Sequence, residues 1–145
     1  MNPFGGYDIE DLRPGMHASF TKTISAADIE GFAQISGDDN ALHLDEDYAS
    51  ATRFGGRIAH GLLTGSLISA ALAKHLPGPG AVYLSQRLEF VAPVRPGEAV
   101  TATVTVSSAD QAAARVVLST VCRVHDRVVL QGEAMLKTTS QNHAI

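Results

Sequence analysis

The pattern of apolar and polar residues differs between the two halves of the chain. Residues 58–73 contain no charged side chain and have the length of a buried helix, which a Pro/Gly-rich stretch ends near 75–80. Four later segments, 81–91, 98–107, 113–125 and 128–137, are rich in Val, Thr and Leu and are separated by turn residues, as is typical of strands. Residues 16–24 alternate loosely and predict an earlier strand near Ser19.

The four later strands follow one another closely enough to pair in chain order as an antiparallel meander. Pro93, Pro96 and Gly97 separate the first two, and His125-Asp126-Arg127 has the composition of a tight hairpin turn between the last two. Small residues recur at every fourth position of the long helix, so that they form one stripe against which a sheet or an acyl chain could lie. These residues are Gly61, Gly65, Ser69 and Ala73.

Two shorter helices are predicted before the long one. Ser25 and Asp28 have the spacing of a helix cap, and the helix they begin runs to about Ile35 and ends at Gly37. Acidic residues from Asp45 onward mark the first turn of a second short helix. The segment 38–44 between them has the Asp and Asn content of a loop.

Composition limits the range of functions. A chain of 145 residues that is 45% hydrophobic predicts one domain over 1–145, with a frayed tail from about 138 to 145. The net charge of −4 and the absence of a Lys/Arg cluster argue against nucleic acid binding. Neither a secretion signal nor a membrane-spanning stretch is recognisable, so a soluble, cytoplasmic protein without membrane contact is expected. Cys122, the only cysteine, lies among valines and is interpreted as a structural residue of a buried strand.

Two short segments carry residues suited to acid/base chemistry. Asp38 and His43 lie five residues apart on the predicted loop, and His60-Gly61 stands at the beginning of the long helix. A carboxylate and an imidazole can together accept and deliver protons. A glycine N–H at a helix start can stabilise a developing negative charge on oxygen. The combination suggests an enzyme that acts on a carbonyl compound.

Residues 32–49, which include Ser-Gly-Asp-Asp-Asn-Ala-Leu-His, resemble the hydratase 2 signature of the MaoC-like (R)-specific enoyl-CoA hydratases, the group that includes the PhaJ enzymes. The resemblance continues through 58–63 and 84–94 and covers about 24–137. It departs at Ala41, where the family usually has proline; the change removes no functional group. The resemblance implies a single hot-dog domain of the α+β class, in which a curled antiparallel sheet wraps around the long central helix.

The resemblance also implies roles for particular residues. Asp38 and His43 become the catalytic pair that adds water to a trans-2-enoyl thioester to give the (R)-3-hydroxyacyl thioester. We assign Asp38 as the base toward water and His43 as the acid toward C2, although the roles could be exchanged or shared through one water. The N–H of Gly61 would bind the thioester oxygen, and Ser69 matches a family serine near the reaction centre. Asn40 is expected to orient the loop, and His60 is interpreted as structural.

The distribution of charged residues along the chain suggests a further contact with the substrate. From Tyr48 to Leu88 the chain has no acidic residue but has four cations, which would attract the phosphates of coenzyme A. Among the four, Arg57 is the first choice for a phosphate contact, and a solvated surface is the simpler alternative. No cofactor and no metal are expected, and coenzyme A enters only as part of the substrate.

Alternatives to the hydratase remain at this stage. A 3-hydroxyacyl-ACP dehydratase could use the same pair in reverse on an acyl carrier protein. A hot-dog thioesterase would place a carboxylate on the central helix, where this chain has none. A non-catalytic acyl-thioester-binding partner would not need the Asp38/His43 pair. A homodimer is expected, because a single hot-dog layer leaves a sheet edge unpaired. The preferred acyl-chain length cannot be read from the sequence.

Overall fold

One long helix and a five-stranded antiparallel sheet form the two layers of the fold. The computed structural model describes residues 1–142. Its strands and helices follow in the order β1 (His17–Thr23), α1 (Ala26–Ser36), α2 (Ala41–Leu44), α3 (Glu46–Ser50), α4 (Gly61–Lys74), β2 (Val82–Phe90), β3 (Ala99–Asp110), β4 (Arg115–Val124) and β5 (Arg127–Lys137). The helix α4 lies against β1, β3, β4 and β5. The α+β, hot-dog arrangement expected from the sequence is confirmed.

The strand order is β1-β3-β4-β5-β2, with every neighbouring pair antiparallel. The predicted four-stranded meander was therefore wrong in one respect, because β2 pairs with β5 instead of β3. The residues between β2 and β3 are too many for a tight hairpin and include Pro93 and Pro96. They cross from the β5 side to the β1 side, where Gly97 N donates to Ile24 O at 2.7 Å. The strands β3, β4 and β5 do form a meander, and His125 and Asp126 make the tight turn between the last two.

The long helix begins later than predicted. Residues 58–60 are not helical: the N–H groups of Ile58 and Ala59 donate to other segments, and His60 is the N-cap of α4. Ala59 N donates to Val94 O at 2.8 Å, and His60 has φ −60° and ψ 135°. The helix starts at Gly61, and its buried face carries Thr64, Leu67, Ile68, Ala71 and Leu72. The four apolar side chains among them enter one hydrophobic core with β3, β4 and β5.

The small-residue stripe of α4 divides into two parts. A Cβ added to Gly61 or Gly65 would contact side chains of the sheet, so close packing explains these two positions. Ser69 and Ala73 are exposed in the single chain. The sheet therefore covers only the beginning of the stripe.

The predicted frayed tail, 138–145, is held against the rest of the chain at its beginning. Thr138 and Thr139 are buried. Thr139 Oγ1 donates to Asp8 Oδ1 at 2.7 Å, and Ile9 N donates to Thr139 O at 2.9 Å. These bonds tie the segment to the N-terminus of the chain, and the last part of the predicted tail, 143–145, lies outside the described residues.

Cys122 lies in β4 and is fully buried, as its valine-rich surroundings predicted. Burial raises the pKa of its thiol to about 12. Within residues 1–142, no helix has both the length and the apolar character needed to cross a membrane.

Candidate active site

Side-chain caps fix the loop that carries the predicted acid/base pair. Gly37 ends α1 in the left-handed conformation, with φ 81°. Asn40 Oδ1 then accepts a hydrogen bond from Leu42 N at 3.0 Å and caps α2. His43 lies on this one-turn helix, so the segment predicted as a continuous loop contains a helical turn. Asn40 thus fixes the start of this turn through a local hydrogen bond.

The ring of His43 is oriented by a backbone carbonyl. Its Nδ1 lies 2.8 Å from Ile58 O, and because a carbonyl only accepts, Nδ1 carries a hydrogen. Nε2 is therefore the nitrogen that can exchange a proton with a ligand. Arg57 Nε donates to the backbone oxygen of His43 at 2.7 Å and holds the same turn from the other side.

His60 is buried, with 2% of its surface exposed. Its Nε2 lies 2.9 Å from the backbone oxygen of Asp38 and must donate to it. Its Nδ1 is buried and finds no partner among residues 1–142. This histidine thus connects the N-terminus of α4 to the loop that carries Asp38.

The N-terminus of α4 differs from those of the other α-helices in the described chain. The side chains of Ser25, Asn40 and Asp45 cap α1, α2 and α3, whereas no side chain caps α4. Within residues 1–142, the N–H groups of Gly61 and Leu62 donate to no backbone or side-chain acceptor. Unsatisfied N–H groups at the positive end of a 14-residue helix are suited to binding a negatively charged oxygen.

One cavity of about 730 Å³ brings these groups together. Asp38, His43, His60 and Gly61 all line it. The carboxylate of Asp38 is exposed in the single chain, whereas His43 is half-buried. The rest of the lining is largely apolar and would accommodate a hydrocarbon chain; it includes Phe32, Phe54, Leu62, Phe90, Val91 and Leu130.

The sequence analysis gave no role to Phe90, which packs directly on Gly61. A Cβ added to Gly61 would lie 2.5 Å from two carbons of the Phe90 ring, so only glycine fits beside the ring as it stands. Phe32 and Phe90 do fall within the stretches that carried the family resemblance. Their place in the cavity depends on the pairing of β2 and on the position of α4, which no local pattern reveals.

Three predicted site residues, Asn40, Ser69 and Arg57, do not line the cavity. Ser69 is exposed on α4, two turns beyond Gly61. Arg57 turns inward, with its Nε on the His43 carbonyl and its Nη2 buried. Arg53, another of the four cations between Tyr48 and Leu88, lines the cavity instead.

Asp38, His43 and His60 are also the described residues that could hold a metal ion, because a carboxylate oxygen and one ring nitrogen of each histidine lie within 4.8 Å of one another. The two imidazole rings, however, are stacked, with centroids 3.9 Å apart and planes inclined by 30°. The nitrogen lone pairs of two stacked imidazoles point in similar directions, whereas the lone pairs of ligands around a tetrahedral ion all point toward the ion. The geometry therefore suits proton transfer better than metal binding.

Known proteins resemble this chain in sequence and in fold. The MaoC-like domain model matches residues 11–127. A protein named 3-hydroxybutyryl-CoA dehydratase from Methylorubrum extorquens is 50% identical over 93% of this chain and 86% of its own length. An (R)-specific enoyl-CoA hydratase from Rhodospirillum rubrum is 51% identical over 86% of this chain and 87% of its own length. The structure of the R-hydratase PhaJ1 from Pseudomonas aeruginosa superposes with a TM-score of 0.88 at 39% identity, over 94% of this chain and 88% of that one. The chain belongs to the MaoC-like domain family.

Proposed function

We propose that this protein is a hydro-lyase, an (R)-specific enoyl-CoA hydratase that adds water reversibly to trans-2-enoyl-CoA to give (R)-3-hydroxyacyl-CoA. The observation that carries the proposal is the uncapped start of α4 beside Asp38 and His43 in one cavity. Relatives at about half identity are named for this reaction or its reverse. The chain itself supplies a proton acceptor, a proton donor and an anion site, so the proposal needs no cofactor.

The proposed reaction begins with the thioester oxygen at the N–H groups of Gly61 and Leu62. Asp38 accepts a proton from water as the water oxygen bonds to C3, and the electrons of the C2=C3 bond move toward the thioester oxygen as an enolate. His43, protonated on both nitrogens, delivers the Nε2 proton to C2 and collapses the enolate. The pair then returns to its starting state when the proton on Asp38 passes to His43.

The direct test is hydration of crotonyl-CoA and longer enoyl-CoAs, followed by loss of absorbance at the enoyl-thioester band. Chiral analysis of the 3-hydroxy acid released from the product should show the R form. Rates for the same acyl groups on acyl carrier protein show which carrier the protein prefers. A preference for acyl carrier protein would favour the dehydratase alternative. A folded wild-type protein that hydrates no enoyl thioester of any chain length on either carrier would rule the proposal out.

The proposed enzyme is a homodimer that pairs through the β2 edge. The two edge strands differ sharply, because β2 leaves four large apolar side chains at least 39% exposed, whereas most exposed side chains of β1 are polar. The four are Val82, Tyr83, Leu84 and Phe90. Leu62 and Val91, which line the cavity, are also 62% and 53% exposed. A partner on this face would pair the strand edge and shield the cavity from water.

Light scattering after size-exclusion chromatography tests the dimer. Wild type should have twice the chain mass, and Leu84→Glu should shift the protein toward monomer and lower its activity. Ser19→Glu places the same charge on the other edge strand and should leave both the mass and the activity unchanged. A monomeric, fully active wild type would contradict the dimer but not the hydratase.

A further inference from the structure

Three arginines, Arg53, Arg57 and Arg95, lie on or beside the segment 53–57, which precedes α4. Two of them donate hydrogen bonds to backbone oxygens of the chain. Arg57 Nε donates to the backbone oxygen of His43. Arg95 donates to the backbone oxygens of Phe54 and Gly56, the second at 3.2 Å. Both guanidinium groups therefore hold this segment in place: Arg57 bonds a carbonyl outside the segment, and Arg95, which lies outside it, bonds two carbonyls within it.

The third arginine, Arg53, faces the cavity instead of a backbone oxygen. It is exposed and lines the same cavity as Asp38 and His43. Within residues 1–142 its guanidinium makes no ion pair and no hydrogen bond. It lies 4.7 Å from the centroid of the Phe54 ring, in a cation–π contact. A guanidinium that lies over an aromatic face keeps its N–H groups available for a bidentate acceptor.

The charge of the cavity supports an anionic ligand at this position. Arg53 is the one lysine or arginine among the described lining residues, and Asp38 is the one carboxylate. The segment that carries Arg53 is anchored through Phe54 and Gly56, so a ligand that binds there would not have to order a free loop. Planar, preorganised arginine forks are suited to phosphate groups.

We propose that Arg53 binds a phosphate group of the substrate's carrier arm and is thereby a specificity-determining residue for phosphorylated thioesters. The inference rests on the proposed hydratase function and assigns to Arg53 the contact that the sequence pattern had suggested for Arg57. The phosphate belongs either to the pyrophosphate that continues from the pantetheine arm or to the 3′-phosphate of coenzyme A.

The test compares three crotonyl thioesters, those of coenzyme A, dephospho-coenzyme A and pantetheine, on wild type and Arg53→Gln. Loss of a charge-assisted hydrogen bond to phosphate should raise the Michaelis constant for crotonyl-CoA about tenfold and leave kcat nearly unchanged. The pantetheine thioester has no phosphate, so its kcat/KM should be the same for both proteins. If Arg53→Gln also has a raised Michaelis constant for the dephospho-coenzyme A thioester, the contact is to the pyrophosphate. If the Michaelis constant for that thioester equals the wild-type value, the contact is to the 3′-phosphate.

Two further variants separate charge from geometry. Arg53→Lys retains the charge without the planar fork and should fall between wild type and Arg53→Gln. Lys74→Gln removes an exposed cation at the far end of α4, outside the cavity lining, and should change none of the three Michaelis constants. Equal effects of Arg53→Gln on all three thioesters, or no effect on any, would overturn the inference. Wild-type failure on all three, and also on longer enoyl thioesters and on acyl carrier protein, would instead defeat the hydratase proposal.

Discussion

The imidazole ring of His60 lies against that of His43, with centroids 3.9 Å apart and planes inclined by 30°. Phe32 packs on the ring of His60 at 4.8 Å between centroids. The same His60 donates from Nε2 to the backbone oxygen of Asp38. One buried ring thus positions both members of the proposed catalytic pair, His43 through its ring face and Asp38 through its backbone.

Replacing His60 should therefore impair turnover more than binding. We expect His60→Ala to lower kcat at least tenfold with a Michaelis constant within about threefold of wild type, and to cost about 2–3 kcal/mol of unfolding free energy. His60→Gln keeps an N–H donor for the Asp38 carbonyl and should recover part of kcat. Steady-state kinetics and urea unfolding measure these quantities. If Ala and Gln variants have the wild-type kcat once corrected for folded fraction, His60 has no positioning role.

Asp38 and its neighbour Asp39 offer a matched pair of carboxylates. Both are exposed, but only Asp38 lines the main cavity. Asp38→Asn should reduce kcat by about 10²–10⁴, because the proposed base is lost while the shape of the side chain is kept. Asp39→Asn should stay within about twofold of wild type. Similar losses in both variants would point to a general charge effect instead of a specific base.

The ends of α1 and the start of α3 depend on local hydrogen bonds and were predicted from the sequence, whereas α2 was predicted as loop although Asn40 caps it in the same local way. The Ser25/Asp28 capping box, the left-handed Gly37 and the caps of the short helices are contacts between residues two to four apart. Their side-chain chemistry is visible in the sequence itself.

Features set by distant contacts were not predictable in this way. The pairing of β2 with β5 and the bond between Thr139 and Asp8 join residues far apart in the chain. The orientations of Arg53 and Arg57 depend on where the carbonyls of other segments lie. The charge pattern singled out four cations but could not identify which arginine faces the cavity.

The contact between Gly61 and Phe90 predicts a specific form of inactivation. In Gly61→Ala the new methyl group would lie 2.5 Å from the Phe90 ring and would force the ring to move. The displaced ring should then obstruct the N-terminus of α4, so we expect kcat/KM to fall at least tenfold while the unfolding free energy changes by less than about 1 kcal/mol.

A double-mutant cycle tests this coupling. Phe90→Ala should restore part of the activity that Gly61→Ala removes, so that the two losses are not additive. Gly65→Ala is the control on the same helix face, because its Cβ would meet a flexible Leu88 methyl at 3.3 Å and Gly65 does not line the cavity. Additive losses would show that the Phe90 ring is not the cause.

The cap of α1 predicts a pH-dependent contribution to stability. A hydrogen bond from Ser25 N, and then the neighbouring Lys22, lower the pKa of Asp28 below its usual 3.8. A carboxyl group with a lowered folded-state pKa stabilises the fold above its unfolded-state pKa, and this contribution is lost as pH falls through the folded-state value. Asp28→Asn should therefore cost about 1 kcal/mol near pH 7 and progressively less below about pH 4.

Urea unfolding of wild type and Asp28→Asn at neutral and acidic pH measures this difference. Glu30→Gln changes an exposed carboxylate on the same helix and provides the control, since no hydrogen bond or ion pair to Glu30 is found within residues 1–142. A difference between wild type and Asp28→Asn that does not vary with pH would contradict the assigned contribution.

Ala41 stands where the family usually has proline, and the structure shows why proline should fit. Ala41 is the first residue of α2, a position that favours the fixed φ of proline. Its N–H donates no hydrogen bond within residues 1–142, and Asn40 before it has ψ 132°, which suits a residue preceding proline. Ala41→Pro should therefore raise the unfolding free energy by about 0.4–1 kcal/mol, because it restricts the unfolded chain, and leave kcat within about twofold. A fall in stability, measured by urea unfolding, would show that the turn carrying His43 has to adjust its backbone at this position.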